Sequence, residues 1–519
     1  MTAALAEPKI VPPGDGALGI DGLALKARVR GILNRHPAVG LAVGVVRNGR
    51  LEFYGHGLAD IAANTPVSED TVFRIGSITK TFTAIAVLQL WEQGLVDLDV
   101  PANDYLRAYR LVPANAAHRA ATVRQLLTHT AGLPQLVYPS RAFRPILGET
   151  VRFGQRLPTL AEFYRGGLHL LAEPGTRHTY SNHGFATLGQ IVEDVSGEPL
   201  DRYFREHVFE PLGMADTDLL RSERVRSRLA TGYALRSDGP HPVSDCDVVT
   251  VGAGSIYSTT RDMARYVSAL LGGGANEHGS VLKPETLASM FAPHYQSDPR
   301  LPGVGLAFFR GEVGGHLVVE HDGLVPGFSS QMSVAPDDGV GVVAFTNGAR
   351  SAKAWLGAEV AGTMSYLLGV PDDAIRTDVP HHPEIWRDIC GWYSFCGSFR
   401  DVQKWFVAGA EVSVHRGQLM LRVLSPIPAL NRGLPLHPDD HQDPYVFRID
   451  LSKFGIGTSR VVFSRAPGVG TTAVHLGFAP LSFQRQPRTR NSRWWATGAL
   501  GSLAAATTAT AARRRRRRW

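Results

Sequence analysis

Ser77 and Lys80, in the segment FRIGSITKTF, have the spacing of a nucleophile and the base that activates it. A serine hydroxyl becomes a useful nucleophile only when a base removes its proton. A lysine can be that base when burial or a nearby cation lowers its pKa. If the segment is helical, the two side chains lie on one face of the helix. The alternative interpretation is that Ser77 caps the helix and Lys80 is an exposed charge.

The residues after Ser77 predict a buried helix that carries the pair. The run ITKTFTAIAVLQLWEQG contains no proline and ends at Gly94, a residue typical of helix C-termini. Its side chains are apolar on nearly every face, as in a helix enclosed by protein. A lysine at the start of such a helix needs a polar environment, and a cleft is one such environment.

A second Ser-x-x-Lys pattern, from Ser280 to Lys283, lacks this setting. It follows a glycine-rich segment, and Lys283 directly precedes Pro284. A residue before proline is disfavoured in the helical conformation. We therefore expect this pair in a loop, with a helix that begins at Pro284, and we discard Ser280 as a nucleophile.

Five further segments are informative when taken together: GSITKTFTA, LLTHTAGLP, EPGTRHTYSNHGFATLGQIVEDVSGEPLDRYFREHVFEPLGMADT, GSIYSTTRDMARYVSALL and HDGLVPGFSSQMSVAPDDGVGVVAFTN. In this order they resemble the serine β-lactamase-related family, which includes class C β-lactamases, D,D-peptidases, D-aminopeptidases and lipase-like esterases. The resemblance covers about residues 23–366. It implies that Ser77 is the acylated serine and Lys80 its partner.

The resemblance implies roles for a Tyr-x-Asn motif at Tyr180 and Asn182. In the family the tyrosine hydroxyl relays protons to the leaving group, and the asparagine amide contacts substrate and lysine. Tyr180 is the only one of the 14 tyrosines with asparagine two residues later. On its own, a tyrosine after Pro-Gly would be an ordinary loop residue.

The third matching motif is His321-Asp322-Gly323. Glycine there permits close approach of another backbone segment. By resemblance, the N–H of Leu324 joins that of Ser77 in the oxyanion hole. β-Lactamases and D,D-peptidases have lysine at the first position to bind a substrate carboxylate, whereas histidine is common in the esterase and aminopeptidase branches. Histidine is mostly neutral at pH 7, so His321 argues against β-lactamase activity. The alternative is an ordinary strand-edge histidine.

Other catalytic and metal-binding patterns are weak or missing in the sequence. There is no Gly-x-Ser-x-Gly motif of α/β-hydrolases, no His-Glu-x-x-His and no phosphate-binding loop. HPDDHQD (437–443) contains metal-ligand residue types, but we interpret it as a polar loop, as we do His381-His382. We expect no metal and no cofactor.

Composition indicates a globular protein and gives no reason to expect nucleic-acid binding by the body of the chain. The net charge is +7, but Arg513–Arg518 contribute six of these charges, which leaves about +1 for the rest of the chain. Three cysteines, Cys246, Cys390 and Cys396, form no disulfide framework, and a reducing compartment is expected. The start of the chain lacks the pattern of a signal peptide. These features predict a cytoplasmic protein.

The predicted fold is α+β with a β-lactamase/transpeptidase-like α/β sandwich. Its antiparallel sheet is flanked by helices and accompanied by a helical subdomain. Short alternating strands after residue 386, such as EVSVHRGQLMLRV, predict a small antiparallel β-barrel. This region resembles the lipocalin-like domains that follow the catalytic domain in some family members. The predicted boundaries are a flexible arm at 1–20, the catalytic domain at 21–370, a linker at 371–385, the barrel at 386–487 and a tail at 488–519.

The tail contains an uncharged run from Trp494 to Ala512, close to the length of a membrane span. Its alanine, threonine and glycine are weakly apolar, and six arginines would have to cross the membrane against the positive-inside tendency. A disordered or surface-lying tail is the favoured interpretation. Weak contact of Arg513–Arg518 with anionic lipid and a true span are the alternatives.

Together these observations predict a serine hydrolase that forms an acyl-enzyme on Ser77 and acts on small carboxylic esters or amides. A D-aminopeptidase, a D,D-peptidase or a weak β-lactamase is the first alternative. A non-catalytic protein that binds ligands or serves as a scaffold is the second. The sequence does not indicate an oligomeric state.

Overall fold

The computed structural model describes residues 22–371, 374–395, 397–454, 457–478 and 480–487. The predicted N-terminal arm, the arginine-rich tail with Arg513–Arg518 and Cys396 lie outside these residues, so the interpretations of them stay predictions. Within the described residues, no helix is long and apolar enough to cross a membrane.

The chain forms two compact units. Among the described residues, one unit comprises 22–295, 302–371 and 454, and the other comprises 296–301, 374–453 and 457–487 with the gaps given above. No sequence signal singled out 296–301 as part of the second unit.

The helices of the first unit contain the elements that carry the catalytic pair and its partners. They are α1 Gly22–Arg35, α2 Thr79–Glu92, α3 Val123–Leu127, α4 Leu160–Phe163, α5 Asn182–Ser196, α6 Leu200–Phe204, α7 Glu223–Arg226, α8 Val251–Gly254, α9 Thr260–Leu271, α10 Pro284–Phe291 and α11 Ala352–Leu368. The second unit has α12 Pro383–Ile389, α13 Gln403–Phe406 and α14 Pro428–Asn431.

The strands fall into one large sheet in each unit and several two-stranded ladders. Those of the first unit are β1 Gly40–Arg47, β2 Arg50–Asp60, β3 Thr65–Pro66, β4 Phe73–Arg74, β5 Leu111–Val112, β6 Thr150–Arg152, β7 Leu168–His169, β8 Tyr233–Arg236, β9 Gly239–Pro242, β10 Cys246–Val248, β11 Tyr257–Ser258, β12 Phe309–Val313, β13 His316–Val325, β14 Phe328–Ala335 and β15 Val340–Thr346. Those of the second are β16 Gly391–Phe395, β17 Gly409–His415, β18 Gln418–Leu424, β19 Leu434–Pro435, β20 His437–Pro438, β21 Val446–Asp450, β22 Thr458–Ala466, β23 Gly470–Leu476 and β24 Leu481–Arg485.

The large sheet of the first unit has the order β12-β13-β14-β15-β1-β2-β3 and is antiparallel where its strands pair. Strand β1 is buried on both faces. Since successive side chains of a strand point to opposite faces, Ala42 and Val46 join the core on one side and Val43 and Val45 join the core on the other.

Helices cover both faces of this sheet. On one face α1 and α11 pack their apolar residues, among them Leu25, Trp355 and Met364, against the sheet. On the other face α9 lies against β1 and β15, within a larger core that also encloses α2 and α5. The predicted α+β fold, an antiparallel sheet between helices with an additional helical region, is confirmed.

The backbone at one hairpin and at two helix ends agrees with the residue types found there. Asn48 and Gly49 link β1 to β2 with φ of 51° and 73°, the left-handed conformation that a tight hairpin requires. Helix α2 ends at Glu92, and Gly94 has a φ of 72°. Helix α10 begins at Pro284, as predicted.

The second unit is a nine-stranded antiparallel sheet in the order β19-β18-β17-β16-β24-β23-β22-β21-β20. Its two edge strands, β19 and β20, are separated in the chain only by the buried residue Leu436. The sheet therefore curls into a nearly closed barrel, and the predicted small antiparallel barrel is confirmed. The resemblance to lipocalin-like domains stays a prediction.

Candidate active site

Ser77 lies in a short 3-10 helix, Gly76–Ile78, that leads directly into α2. The prediction that one helix carries both side chains needs a small correction, because Ser77 lies in the 3-10 turn that precedes α2. Lys80 follows in the first turn of α2 and is completely buried. Its Nζ lies 2.8 Å from Oγ of Ser77. The structure therefore brings the predicted pair into direct hydrogen-bond contact.

Lys80 makes two further hydrogen bonds. Its Nζ donates to Oδ1 of Asn182 at 2.9 Å and to the carbonyl oxygen of Ala253 at 2.8 Å. Burial lowers the pKa of Lys80 to about 7. A neutral amine has two hydrogens and one lone pair. It can donate to Asn182 and Ala253 and accept the hydroxyl proton of Ser77, which is the arrangement that a general base needs.

The loop LLTHTAGLP holds the second motif in place. His129 adopts a left-handed conformation with a φ of 56°, and its Nδ1 accepts a hydrogen bond from the backbone N–H of Ser181 at 3.1 Å. Its ring lies 4.4 Å from that of Tyr180, measured between centroids. Oγ of Ser181 donates to the carbonyl of Pro134, and Asn182 then begins α5. Tyr180 and Asn182 are thus fixed from both sides.

Tyr180 faces the catalytic pair. Its side chain hydrogen-bonds that of Ser77, and Nζ of Lys80 lies 4.8 Å from its ring centroid. Burial, with the charge of Asp322, raises the pKa of Tyr180 well above its usual value. The tyrosine therefore keeps its proton at neutral pH and can donate it, whereas Lys80 is the group able to accept one.

The amide of Asn182 connects Lys80 to a buried carboxylate. While Oδ1 accepts from Lys80, Nδ2 donates to Oε2 of Glu149 at 3.0 Å. Glu149 and the carbonyl of Ala253 were missed by sequence reasoning. Neither belongs to a motif, and both approach the lysine through contacts between segments far apart in the chain.

The third motif lies on β13, and two glycines allow the Ser77 turn to pack against it. A Cβ at Gly323 would lie 2.0 Å from the carbonyl oxygen of Ile75, and one at Gly76 would lie 2.7 Å from the backbone nitrogen of Leu324. This close approach brings the backbone of Leu324 beside the turn that carries Ser77. The oxyanion-hole role of the two N–H groups stays a prediction.

His321 is buried beside the catalytic groups. Burial, together with the charge of Lys80, lowers the pKa of His321 to about 4. Its Nδ1 lies 2.6 Å from the carbonyl oxygen of Asp322, so Nδ1 carries the hydrogen. Nε2 is then a buried lone pair with no hydrogen-bond partner in the described part of the chain. A neutral acceptor at this position does not attract a carboxylate.

The discarded pair is placed elsewhere. Lys283 has an extended backbone and precedes α10, and with Ser280 it lines a cavity of about 430 Å³ that contains none of the predicted site residues. In HPDDHQD, Asp439 pairs with Arg448 and Arg460. Within the described residues, one group could geometrically hold a metal ion, at the partly exposed side chains of Glu198, Glu206 and His207.

Comparison with known proteins agrees with this geometry. The family model Beta-lactamase matches residues 25–361. Penicillin-binding protein 4 from Amycolatopsis lactamdurans is 28% identical over 334 residues, which cover 62% of this chain and 84% of that protein.

Two solved structures are similar as well. The D-amino acid amidase from Ochrobactrum anthropi SV3, solved with L-phenylalanine amide, is 26% identical, with a TM-score of 0.51 over 63% of this chain and 91% of that chain. EstCE1, a hydrolase with promiscuous acyltransferase activity, is 26% identical, with a TM-score of 0.51 over 63% of this chain and 94% of that chain. With the matched residues covering more than half of its length, the chain belongs to the Beta-lactamase family of serine hydrolases.

Proposed function

We propose that this protein hydrolyses small carboxylic esters or amides through an acyl-enzyme on Ser77. The observation that carries the proposal is the contact between Lys80 and Ser77, 2.8 Å from Nζ to Oγ, in a buried site that lowers the pKa of the lysine to about 7. Near pH 7 about half of such a lysine is neutral, so a base is available without any other group.

The proposed reaction has two steps. In the first, Oγ of Ser77 bonds to the substrate carbonyl carbon while Lys80 takes the hydroxyl proton. Collapse of the tetrahedral species breaks the bond to the leaving alcohol or amine, which receives a proton from Tyr180, and Lys80 returns a proton to the tyrosine. In the second step, water attacks the acyl carbon while Lys80 accepts its proton. Collapse of this tetrahedral species breaks the bond between the acyl carbon and Oγ of Ser77, Lys80 returns the proton to Oγ, and the carboxylic acid leaves.

His321 supports the choice among substrate classes. A β-lactam and a D-Ala terminus both carry a carboxylate, and a neutral imidazole with a free lone pair offers it neither charge nor a hydrogen-bond donor. Neutral esters and amides have no carboxylate, so their binding does not require a cation at position 321. EstCE1, which the chain resembles, is a hydrolase with promiscuous acyltransferase activity, and transfer of an acyl group to Ser77 is the first step of the proposed reaction.

Action on D-aminoacyl substrates is the second candidate. It is supported by the similarity to a D-amino acid amidase. The lone pair of His321 Nε2 could also accept a hydrogen bond from a substrate amino group. A protein that binds ligands without catalysis is the remaining alternative.

Turnover of a substrate panel tests the proposal. The panel contains p-nitrophenyl esters of increasing chain length, D- and L-amino acid amides, a D-Ala-D-Ala peptide and a chromogenic β-lactam. We expect the highest kcat/KM with neutral esters and loss of turnover in Ser77→Ala. Preference for D-amides would establish the second candidate, and full turnover by Ser77→Ala would refute the proposal.

A further inference from the structure

Glu149 is a buried carboxylate beside the catalytic pair, and the proposed reaction gives it no part. Its side chain is almost completely enclosed. Oε2 accepts hydrogen bonds from Nδ2 of Asn182 at 3.0 Å and from Oγ1 of Thr250 at 2.9 Å. Oε1 lies 3.4 Å from Nε2 of His183. Because burial of a carboxylate is unfavourable unless its charge is compensated, this position needs a physical reason.

The backbone that presents Glu149 is unusual. The three preceding residues, Ile146, Leu147 and Gly148, have φ values of 44°, 52° and 81°. Left-handed conformations are unfavourable for residues other than glycine. After the turn, β6 pairs with β10, and the carbonyl of Glu149 accepts from the N–H of Val249 at 2.7 Å. The fold therefore maintains an unfavourable turn that directs this carboxylate inward.

We propose that Glu149 is a positioning residue: it orients the amide of Asn182 toward Lys80 and places a negative charge one amide group away from the lysine. This inference rests on the proposed function. An ionised carboxylate only accepts hydrogen bonds, so it selects the Asn182 orientation with Nδ2 toward it. Oδ1 then faces Lys80, as observed. In the flipped orientation Nδ2 would face the hydrogens of Lys80 and Oδ1 would face the carboxylate, and both contacts would be repulsive.

The charge of Glu149 also acts on Lys80. Among the charged residues around the lysine, Glu149 and Asp322 favour its protonated form, and Lys353 on α11 disfavours it. The nearby groups His129, His183, His321 and Tyr180 are neutral near pH 7, since burial lowers the pKa of each histidine and raises that of the tyrosine. Glu149 is thus one of the two carboxylates that counteract the effect of burial on the pKa of Lys80.

The substitution Glu149→Gln separates charge from shape. The glutamine oxygen can still accept from Asn182, but the negative charge is gone. Loss of a unit charge one amide group away should lower the pKa of Lys80 by about one unit. The rate at which a fluorophosphonate labels Ser77 falls toward acidic pH as Lys80 becomes protonated, and we call this part of the pH–rate profile the acidic limb. We expect the acidic limb to move to lower pH by about one unit. The weaker base should also reduce the plateau rate by roughly threefold.

Two further variants complete the experiment. Glu193→Gln is the matched control, because Glu193 is a partly buried carboxylate on α5 that bonds to the N–H of Leu200 and does not contact Lys80. Glu193→Gln should change neither the pH of the acidic limb nor the plateau rate of labelling. Glu149→Asp keeps the charge but shortens the side chain, so the limb should stay near its wild-type position while the plateau falls by roughly tenfold.

The outcomes are distinct. If the acidic limb of Glu149→Gln lies at the same pH as that of the wild type, the inference is overturned, even if the plateau rate has fallen. A purely structural role of Glu149 would lower the rate without moving the limb. If Glu149→Gln does not fold, Glu149→Asp decides, and wild-type rate and limb in that variant would overturn the inference. Absence of labelling in the wild-type chain would instead refute the proposed function itself.

Discussion

Replacement of Lys80 by methionine is the perturbation whose effect the structure predicts most directly. Methionine fills a similar volume but cannot accept a proton. In the wild-type chain a lysine with a pKa of about 7 is half neutral at pH 7. An ordinary lysine, with a pKa near 10.4, would be neutral in only about one molecule in 2,500 at that pH. The buried setting therefore increases the available base by roughly a thousandfold.

This difference sets the expected pH dependence. Acylation of the wild-type chain should rise between pH 5 and 7 and level off above pH 8, with the rate at pH 6 about a fifth of that at pH 7. The Lys80→Met variant should be at least 10²-fold slower at pH 8 and should show no limb near pH 7.

The second-order rate of inactivation by a fluorophosphonate, followed by intact mass from pH 5 to 9, measures both quantities. Thermal unfolding of each variant confirms that it is folded. A wild-type rate that still rises steeply above pH 9, or a Lys80→Met variant with the wild-type profile, would refute the assignment of Lys80 as the base.

Three other predictions follow from the same contacts. Tyr180→Phe should slow turnover of amides about 10²-fold but affect p-nitrophenyl esters less, because a good leaving group needs no proton; equal losses would contradict the role of Tyr180 as proton donor. His321→Lys should raise kcat/KM for carboxylated relative to neutral substrates about tenfold, measured on the panel above; an unchanged ratio would remove His321 from substrate selection. Above about pH 7 Lys80 has lost its proton in the native state but keeps it in the unfolded state. The unfolding free energy of the wild type relative to Lys80→Met, measured by urea titration, should therefore rise by about 1 kcal/mol per pH unit up to about pH 9.5. A difference that does not change with pH would contradict the lowered pKa.

Local sequence patterns were enough to predict the elements that carry the catalytic pair. Proline-free apolar sequence followed by Gly94 defines α2, and Pro284 defines the start of α10. These signals are reliable because they act through residues adjacent in the chain. The same local signals distinguish Ser77, which precedes a helix that contains Lys80, from Ser280, which lies in a loop.

The environment of Lys80 was not predictable in the same way. Glu149 lies beside Asn182 because β6 pairs with β10, two segments about 95 residues apart in the chain, and because Ile146 and Leu147 adopt a left-handed turn. Neither residue is a glycine or an asparagine, the types that usually indicate this conformation. Ala253 contributes only its backbone carbonyl, which carries no sequence signal. Long-range packing determined both contacts.

The measurement that tests the central claim most directly is covalent trapping at Ser77. The chain is incubated with a fluorophosphonate, and its intact mass and peptide map are recorded for the wild type, Ser77→Ala and Ser280→Ala. The account predicts one adduct per chain, located on Ser77, absent from Ser77→Ala and unchanged in Ser280→Ala. An adduct that persists in Ser77→Ala, or no adduct in the folded wild-type chain, would contradict it.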